Sequence, residues 1–273
     1  MRVVRDIATL RKARGRQPLA FVPTMGGLHE GHLSLVRLAR ERAARVAVSI
    51  YVNRLQFGPG EDFERYPRTF ASDCTKLRDE KVDILFAPED EQLYPEPQRF
   101  LVDPSSRAEE LEGKFRPGFF RGVATVVLKL FSCVQPTLAV FGKKDYQQLI
   151  IVRDMVRQFD LPIEIVAGET VREADGLAMS SRNAYLSTEE RREAPSLYRE
   201  LRAIRERIRA GERDFASLGA HAMRVLADAG WRPDYVEVRS RLTLSMPVPE
   251  ERELIVLGAA RLGATRLIDN VEV

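Results

Sequence analysis

The residues of this chain with the clearest capacity for chemistry are two histidines, His29 and His32, in the stretch MGGLHEGH. Two imidazoles at this spacing at the start of a helix can both face one anion. The glycines around them, Gly26, Gly27 and Gly31, let the backbone approach a ligand closely and adopt positive φ. The pattern predicts a phosphate-binding corner.

Two other interpretations of the histidine pair are a surface pair that caps a helix and a metal site. A metal site is disfavoured, because the chain has 3 histidines in all and the third is not near in the sequence. Glu30 would also point elsewhere on a helix. The glycine turn favours anion binding over the surface pair.

The elements that must position the histidines are predicted by the apolar pattern on either side. Residues 19–23 (LAFVP) predict a buried strand, residues 33–44 show helical spacing, and residues 45–52 (RVAVSIYV) predict a second strand. Strand, turn, helix and strand form a βαβ unit. In such a unit the turn lies at the carboxyl end of a parallel strand, where the N–H groups at the helix start favour phosphate.

Further polar side chains are expected at the ends of other elements. They are Asn53 and Gln56 in YVNRLQF, Lys143, Lys144, Asp145 and Gln148 in FGKKDYQQL, and Ser180, Ser181 and Arg182 in AMSSRNAYLS. The uncharged amides suit a small polar substrate, whereas the serines and the arginine suit phosphate. Taken singly, Asp145 is also explained as a helix N-cap, the lysines as solvated surface and the serines as a turn.

The alternation of strands and helices predicts an α/β fold with a mostly parallel sheet and helices on both faces. The predicted elements are helix 71–80, strand 81–88, helix 122–134, strand 137–142, helix 146–159 and strand 163–168. The proline-rich and charged segment 89–120 is expected to wall the site.

The pattern changes near residues 172–187, and the remainder of the chain predicts a smaller α+β C-terminal domain. Its predicted elements are helices 188–210 and 215–229 and strands 235–239, 253–260 and 266–271. We therefore place a first domain at residues 1–174 and a second at residues 175–273. The alternative is a helical hairpin that continues the first domain.

Composition describes an ordinary globular protein, with 30% charged and 44% hydrophobic residues among 273. A net charge of +3 does not require a nucleic-acid partner. Cys74 and Cys133 match no metal-binding spacing and are expected to be reduced packing residues. Residues 123–134 are apolar but too short to span a membrane, and the N-terminus has no apolar core of a signal peptide, so we expect a cytoplasmic enzyme.

Taken together, several motifs resemble one family closely. PTMGGLHEGH, VNRLQF, YPRT, LEGKFRPGFFRGV, GKKDYQQL, SSRNAYL and RLIDN occur in this order along most of the chain. A lone HxGH motif would indicate only the wider nucleotidylyltransferase superfamily, but the set resembles the pantothenate synthetase family of ligases. The resemblance implies a Rossmann-like domain with a smaller C-terminal domain after it, usually in a homodimer, and the ATP-dependent joining of pantoate to β-alanine.

The resemblance also implies the residues of the ATP site. They are Met25, Gly26, Gly27, Leu28, His29, Glu30, Gly31, His32, Gly142, Lys143, Lys144, Asp145, Val171, Met179, Ser180, Ser181 and Arg182. Gln56 and Gln148 match the family's pantoate-binding glutamines, with Gln56 also near the β-alanine position, and His32 matches its catalytic histidine.

The implied mechanism is governed by charge. The pantoate carboxylate attacks the α-phosphorus of ATP to give pantoyl adenylate, whose mixed anhydride the amine of β-alanine then attacks. Cations must offset the repulsion in the first step, and a unit-charge pair about 4 Å apart is worth about 4 kcal/mol at an effective dielectric of 20. We assign His29, His32, Lys144 and Arg182 to this role, with Mg²⁺ on the phosphates and no protein ligand for it identified. A protonated His32 would also donate to the departing oxygens.

Three positions depart from the family pattern. Arg54 stands where proline is usual, Phe119 where histidine is usual, and Lys143 where an acid is common. We expect Arg54 and Phe119 to alter substrate affinity. An adenylyltransferase of the same superfamily would share the histidines but not require the two glutamines, and a nucleotide-sensing regulatory protein would keep the fold without turnover.

Overall fold

The structure is a computed structural model that describes residues 1–104 and 106–273. The strands are β1 (Arg2–Val4), β2 (Leu19–Thr24), β3 (Arg45–Ile50), β4 (Ile84–Phe86), β5 (Leu138–Gly142), β6 (Glu164–Gly168), β7 (Arg232–Ser240), β8 (Leu254–Leu262) and β9 (Thr265–Glu272). The helices are α1 (Ile7–Arg14), α2 (Glu30–Arg42), α3 (Phe70–Asp79), α4 (Asp90–Leu93), α5 (Glu112–Phe115), α6 (Phe119–Val134), α7 (Tyr146–Gln158), α8 (Thr188–Glu193), α9 (Ser196–Arg209) and α10 (Phe215–Asp228).

The chain forms two compact units. Unit 1 comprises Met1–Lys143 and Ile151–Glu169, and unit 2 comprises Lys144–Ile150 and Thr170–Val273. The first turns of α7 therefore belong to unit 2 and the rest of that helix to unit 1. The domain boundary between residues 174 and 175 stays a prediction.

Unit 1 contains a six-stranded parallel sheet in the order β1-β4-β3-β2-β5-β6. On one face, β-branched side chains such as Val22 and Val48 pack against α2 and α3 around Leu77. On the other face, Phe21 of β2 meets Phe131 of α6 edge to face, with the ring centroids 6.4 Å apart. Burial on both faces explains why these strands are continuously apolar, and it confirms the predicted fold class.

The sheet order places the predicted phosphate corner at a point where the chain reverses direction across the sheet. Strand β2 lies between β3 and β5, and the chain reaches β3 through α2 before it later returns to β5 on the other side. In open parallel sheets, ligands bind at the carboxyl ends of strands that flank such a switch point. The ends of β2 and β5 carry the histidine turn and Gly142, respectively.

Unit 2 contains a three-stranded antiparallel sheet in the order β7-β8-β9, covered by α9 and α10. The predicted apolar stripe of α9, Leu197, Leu201, Ile204 and Ile208, is buried in this core. An amphipathic helix on one face of a small antiparallel sheet is the packing expected for an α+β unit.

Two predicted elements differ from the structure. The single helix predicted over residues 188–210 is divided into α8 and α9, because Pro195 has no N–H for the helical hydrogen-bond ladder. The strand predicted over residues 81–88 is limited to β4, because Lys81 has a φ of 56° and the N–H of Val82 closes α3 by donating to Leu77 O at 3.0 Å. Four short elements, β1, α1, α4 and α5, were not predicted from the sequence.

The remaining fold expectations concern the cysteines and the apolar segment 123–134. Cys74 and Cys133 are buried free thiols, as expected of packing residues. The apolar segment lies in α6, which covers the sheet of unit 1. Across residues 1–104 and 106–273, no helix has the length and apolar character needed to cross a bilayer.

Candidate active site

The turn between β2 and α2 is held in place by Asp73 of α3. Asp73 is fully buried, and its carboxylate oxygens accept hydrogen bonds from the N–H groups of Gly27 at 3.0 Å and Leu28 at 2.9 Å. Thr69 Oγ1 also donates to this carboxylate at 3.1 Å, and Lys76 Nζ donates to Leu28 O at 2.5 Å. The N–H groups of Gly27 and Leu28 are therefore satisfied within the protein, and anion binding by the histidines stays a prediction.

Asp73 was missed in the sequence, although one signal was present. Its neighbours on the same face of the predicted helix, Cys74 and Leu77, are apolar and buried. A lone carboxylate on such a face must find hydrogen-bond donors, since an unpaired buried charge is costly. The motif gave no indication that those donors would be the glycine turn.

His29 and His32 lie side by side at the start of α2. Their ring centroids are 4.1 Å apart, and the planes are tilted by 41°. His29 is the N-cap residue in an extended conformation, and its N–H donates to Nδ1 of His32 at 3.4 Å. This bond occupies Nδ1 of His32 as an acceptor and leaves its Nε2 to face a ligand. Nε2 is therefore the nitrogen of His32 that is available to donate to a ligand, and the protonated His32 expected from the sequence stays a prediction.

Glu30 lies on the exposed side of α2. It pairs with Arg37, and this hydrogen bond holds the pKa of the Glu30 carboxyl below its ordinary value. Within the described part of the chain, no group of three or more histidine, cysteine, aspartate and glutamate residues is placed to hold a metal ion. The side chains therefore offer no preformed metal cage beside the histidines.

Gln56, in the segment that follows β3, contacts the turn between β2 and α2 that precedes the histidines. It ends the 3-10 helix Arg54–Gln56, and its Nε2 donates to Sδ of Met25 at 3.1 Å. Asn53 is buried and donates through Nδ2 to Oε1 of Gln56 at 3.1 Å. Two predicted site residues from different strand ends, Met25 and Gln56, are thus in direct contact, and Asn53 fixes the orientation of the Gln56 amide.

Two neighbouring tyrosines, Tyr51 and Tyr94, lie beside this site, and Tyr94 bonds directly to Asn53. The hydroxyl of Tyr94 donates to Oδ1 of Asn53 at 3.3 Å, and that of Tyr51 donates to Asp90 at 2.8 Å. Burial raises the pKa of both phenols, and for Tyr51 the bond to Asp90 adds to this effect. Both hydroxyls therefore keep their protons at neutral pH and remain donors.

Gly122 of α6 allows the backbone of Leu55 and Gln56 to approach this helix closely. A Cβ at this position would overlap the carbonyl oxygen of Leu55 and lie 2.7 Å from the N of Gln56. The carbonyl of Gly122 also accepts a hydrogen bond from Asn53 at 3.2 Å. Because the obstructing atoms belong to the backbone, no side-chain rotation relieves the overlap.

We expect Gly122→Ala to displace Leu55 and Gln56, with a loss of stability of about 1 to 3 kcal/mol from overpacking. Because the family resemblance implies that Gln56 binds pantoate, the same substitution is expected to weaken pantoate binding. Thermal unfolding and calorimetric titration with pantoate measure the two effects. Ser132→Ala, on the exposed side of the same helix, is the matched control and should change neither. An unchanged pantoate affinity in Gly122→Ala would show that the corner does not form the pantoate site.

Arg116 connects the segment before α6 to the same corner. It forms a bidentate ion pair with Glu61, with N–O distances of 2.7 and 2.6 Å, and it donates to Gln56 O at 3.3 Å. Its guanidinium carbon lies 3.7 Å from the ring centroid of Phe119. The departure at position 119 therefore provides an aromatic face for Arg116.

Arg54 and Lys143, the two other residues that depart from the family pattern, also have partners nearby. Arg54 is exposed, with its guanidinium carbon 4.7 Å from the centroid of Phe63 and its Nη1 3.4 Å from Glu64. Lys143, at the end of β5, pairs with Glu169 at 2.6 Å. The charge of Lys143 is thus directed to the neighbouring strand end.

The other predicted site residues lie in unit 2. Lys144 and Asp145 complete the 3-10 turn Lys143–Asp145 before α7, and Gln148 lies in the first turn of that helix. Met179 N–H donates to Val171 O at 3.0 Å, which joins two predicted segments. Ser180 caps the 3-10 helix Ser181–Tyr185 by accepting a hydrogen bond from Arg182 N–H at 3.3 Å.

Comparison with known proteins supplies independent findings. A family model described as pantoate–β-alanine ligase matches residues 2–272. The chain is 61% identical over 274 residues to the pantothenate synthetase of Nitrosospira multiformis, covering 100% of this chain and 98% of that protein.

Solved structures give the same result. A crystal structure of pantothenate synthetase from Thermus thermophilus matches with a TM-score of 0.95 and 47% identity, covering 100% of this chain and 99% of the other. A structure of pantoate–β-alanine ligase from Francisella tularensis, in complex with β,γ-ATP and β-alanine, matches with a TM-score of 0.85 and 32% identity, covering 100% and 97%.

Proposed function

The chain belongs to the pantoate–β-alanine ligase family, and from that premise we propose that it forms pantoyl adenylate at the histidine corner and converts it to pantothenate. It is a ligase that uses ATP to join pantoate to β-alanine through an amide bond. The observation that supports this location is the contact between Gln56 and Met25, which sets an uncharged amide beside the turn that carries His29 and His32. An amide orients a small polar acid, and the imidazoles act on phosphate.

In the first step, a carboxylate oxygen of pantoate forms a bond to the α-phosphorus of ATP, and the bond from that phosphorus to pyrophosphate breaks. Negative charge then accumulates on the departing oxygens. His32, with its proton on Nε2, is the proposed donor to those oxygens, and His29 is its neighbour in the same role. In unit 2, Lys144 and Arg182 are the proposed cations for the ATP phosphates.

In the second step, the neutral amine of β-alanine forms a bond to the carbonyl carbon of pantoyl adenylate. The bond from that carbon to the AMP oxygen breaks, and the nitrogen loses a proton as the amide forms. No covalent bond to the enzyme is needed, because the anhydride is already activated. Positioning of the amine therefore supplies most of the rate enhancement.

The two glutamines are the proposed pantoate-binding residues. Gln56 is held by Asn53, so that its amide has one orientation. Gln148 is half-buried in the first turn of α7. Neutral amides avoid adding charge beside an attacking carboxylate, which would lower its reactivity. Gln56 is also the proposed neighbour of β-alanine.

Mg²⁺ accompanies ATP in this proposal. Mg²⁺ usually keeps several waters and takes one or two carboxylates together with substrate phosphates. Of the two acids in the predicted ATP site, Glu30 pairs with Arg37 and Asp145 is exposed, so Asp145 fits as the carboxylate that would hold the ion. When bound, Mg²⁺ neutralises charge on the phosphate oxygens.

Two further properties are proposed from the family resemblance alone. They are assembly as a homodimer and a cytoplasmic location. The net charge of +3 agrees with small anionic substrates and does not call for nucleic acid.

An isotope experiment tests the adenylate. Pantoate that carries ¹⁸O in its carboxylate should transfer one labelled oxygen to AMP, because the carboxylate oxygen that attacks phosphorus leaves with the phosphate. Mass spectrometry of AMP measures this transfer. Label placed in the carboxylate of β-alanine is the control and should stay in pantothenate. Unlabelled AMP from labelled pantoate would exclude an acyl adenylate.

A further inference from the structure

We propose that Asp269 and Asn270 of β9 are positioning residues that fix two parts of the ATP site in unit 2, the Lys144 turn and the segment of residues 171–182. This inference rests on the proposed function, because it assumes that Lys144 acts on ATP. Neither residue was assigned a role in the reaction from the sequence. Both are buried, although they are polar, and a buried polar side chain requires hydrogen-bond partners.

Asn270 holds the Lys144 turn. Its side-chain Nδ2 donates to the carbonyl oxygen of Lys144 at 2.9 Å, across 126 positions of sequence. This carbonyl lies in a 3-10 turn that is only three residues long, Lys143–Asp145. A turn of this length has few internal hydrogen bonds, so an external donor restricts the backbone from which the Lys144 side chain extends.

Asp269 holds the other segment through Arg172. The two Nη atoms of Arg172 donate to the two carboxylate oxygens at 2.6 and 2.9 Å, and Nη1 also donates to Gly176 O at 3.1 Å. The guanidinium carbon of Arg172 lies 3.6 Å from the ring centroid of Tyr198. Arg172 is the residue after Val171 in the chain, and its backbone pairs with Ala178, next to Met179.

The arrangement has a geometric reason. Successive side chains on a strand point to opposite faces, so adjacent residues can reach two different segments. The side chain of Asp269 also shapes the strand locally, because its Oδ1 accepts a hydrogen bond from the N–H of Asn270 at 2.7 Å. Asp269 and Asn270, two adjacent residues of a paired strand, therefore fix the positions of residues 171–182 and of the Lys144 turn within unit 2.

The test is whether Asn270 acts through Lys144. Calorimetric titration with ATP, without pantoate, should show that Asn270→Ala weakens ATP binding by about 5-fold to 10-fold, which corresponds to about 1 to 1.4 kcal/mol for one lost hydrogen bond. Asn270→Asp, which has nearly the same shape but cannot donate to the carbonyl, should weaken it at least as much. The double variant Asn270→Ala with Lys144→Ala should bind ATP no worse than Lys144→Ala alone.

A control variant separates this role from general stability. Arg266 lies on β9, like Asn270, and forms an ion pair with Asp234 of β7. Arg266→Ala should lower the unfolding temperature without changing ATP affinity. If the effects of Asn270→Ala and Lys144→Ala instead multiply, or if Asn270→Asp binds ATP normally, the positioning role is wrong. If Lys144→Ala itself binds ATP normally, the proposed function of Lys144 fails. Should Asn270→Ala not fold, Asn270→Asp alone decides the question.

Discussion

His32→Ala is expected to fold normally and to lose adenylate formation by about 10²-fold to 10³-fold, the usual effect of removing one preorganised donor to a developing negative charge. The hydrogen bond from His29 N–H occupies Nδ1, so Nε2 is the nitrogen of His32 that we expect to donate. Pyrophosphate release with ATP and pantoate, in the absence of β-alanine, measures this step.

Two further variants make the test specific. His221→Ala replaces the third histidine, which is exposed on α10, and it should leave the rate unchanged. His32→Gln keeps a neutral N–H donor near the position of Nε2, so it should retain more activity than His32→Ala. A glutamine variant as slow as the alanine variant would indicate that His32 transfers a proton, and near-normal turnover of His32→Ala would place the phosphate chemistry elsewhere.

The second prediction separates the glutamines from Lys144. Gln56→Ala or Gln148→Ala removes hydrogen bonds to pantoate at about 1 to 3 kcal/mol each, so pantoate affinity should fall about 5-fold to 150-fold while ATP affinity stays nearly constant. Lys144→Ala should show the reverse, because its charge is assigned to phosphate. Titration of each variant with each ligand measures both affinities.

Matched controls exist for both residue types. Gln158→Ala, at the exposed end of the helix that carries Gln148, should bind both ligands normally, and so should Lys12→Ala on α1. If Gln148→Ala weakens ATP binding as much as Lys144→Ala does, the assignment of pantoate to the glutamines is wrong.

Several features of the molecule were determined by local sequence. Apolar runs of strand length and the helical stripe from Leu197 to Ile208 predicted the two kinds of unit, and the structure confirms the fold class. These signals are readable because burial acts on each element through its own periodicity. The division of α8 from α9 is also encoded locally, since Pro195 stands inside the segment predicted as one helix.

The motifs determined which residue types are available for chemistry, but tertiary structure decided how they are held. Asp73 reaches Gly27 across 46 positions of sequence, and Asn270 reaches Lys144 across 126. No local pattern encodes such pairs, because a hydrogen bond depends on the positions of two atoms and the chain between them can take many paths. The histidine pair was visible in the sequence because its members share one helical turn, whereas its supports became visible only when the sheet brought distant segments together.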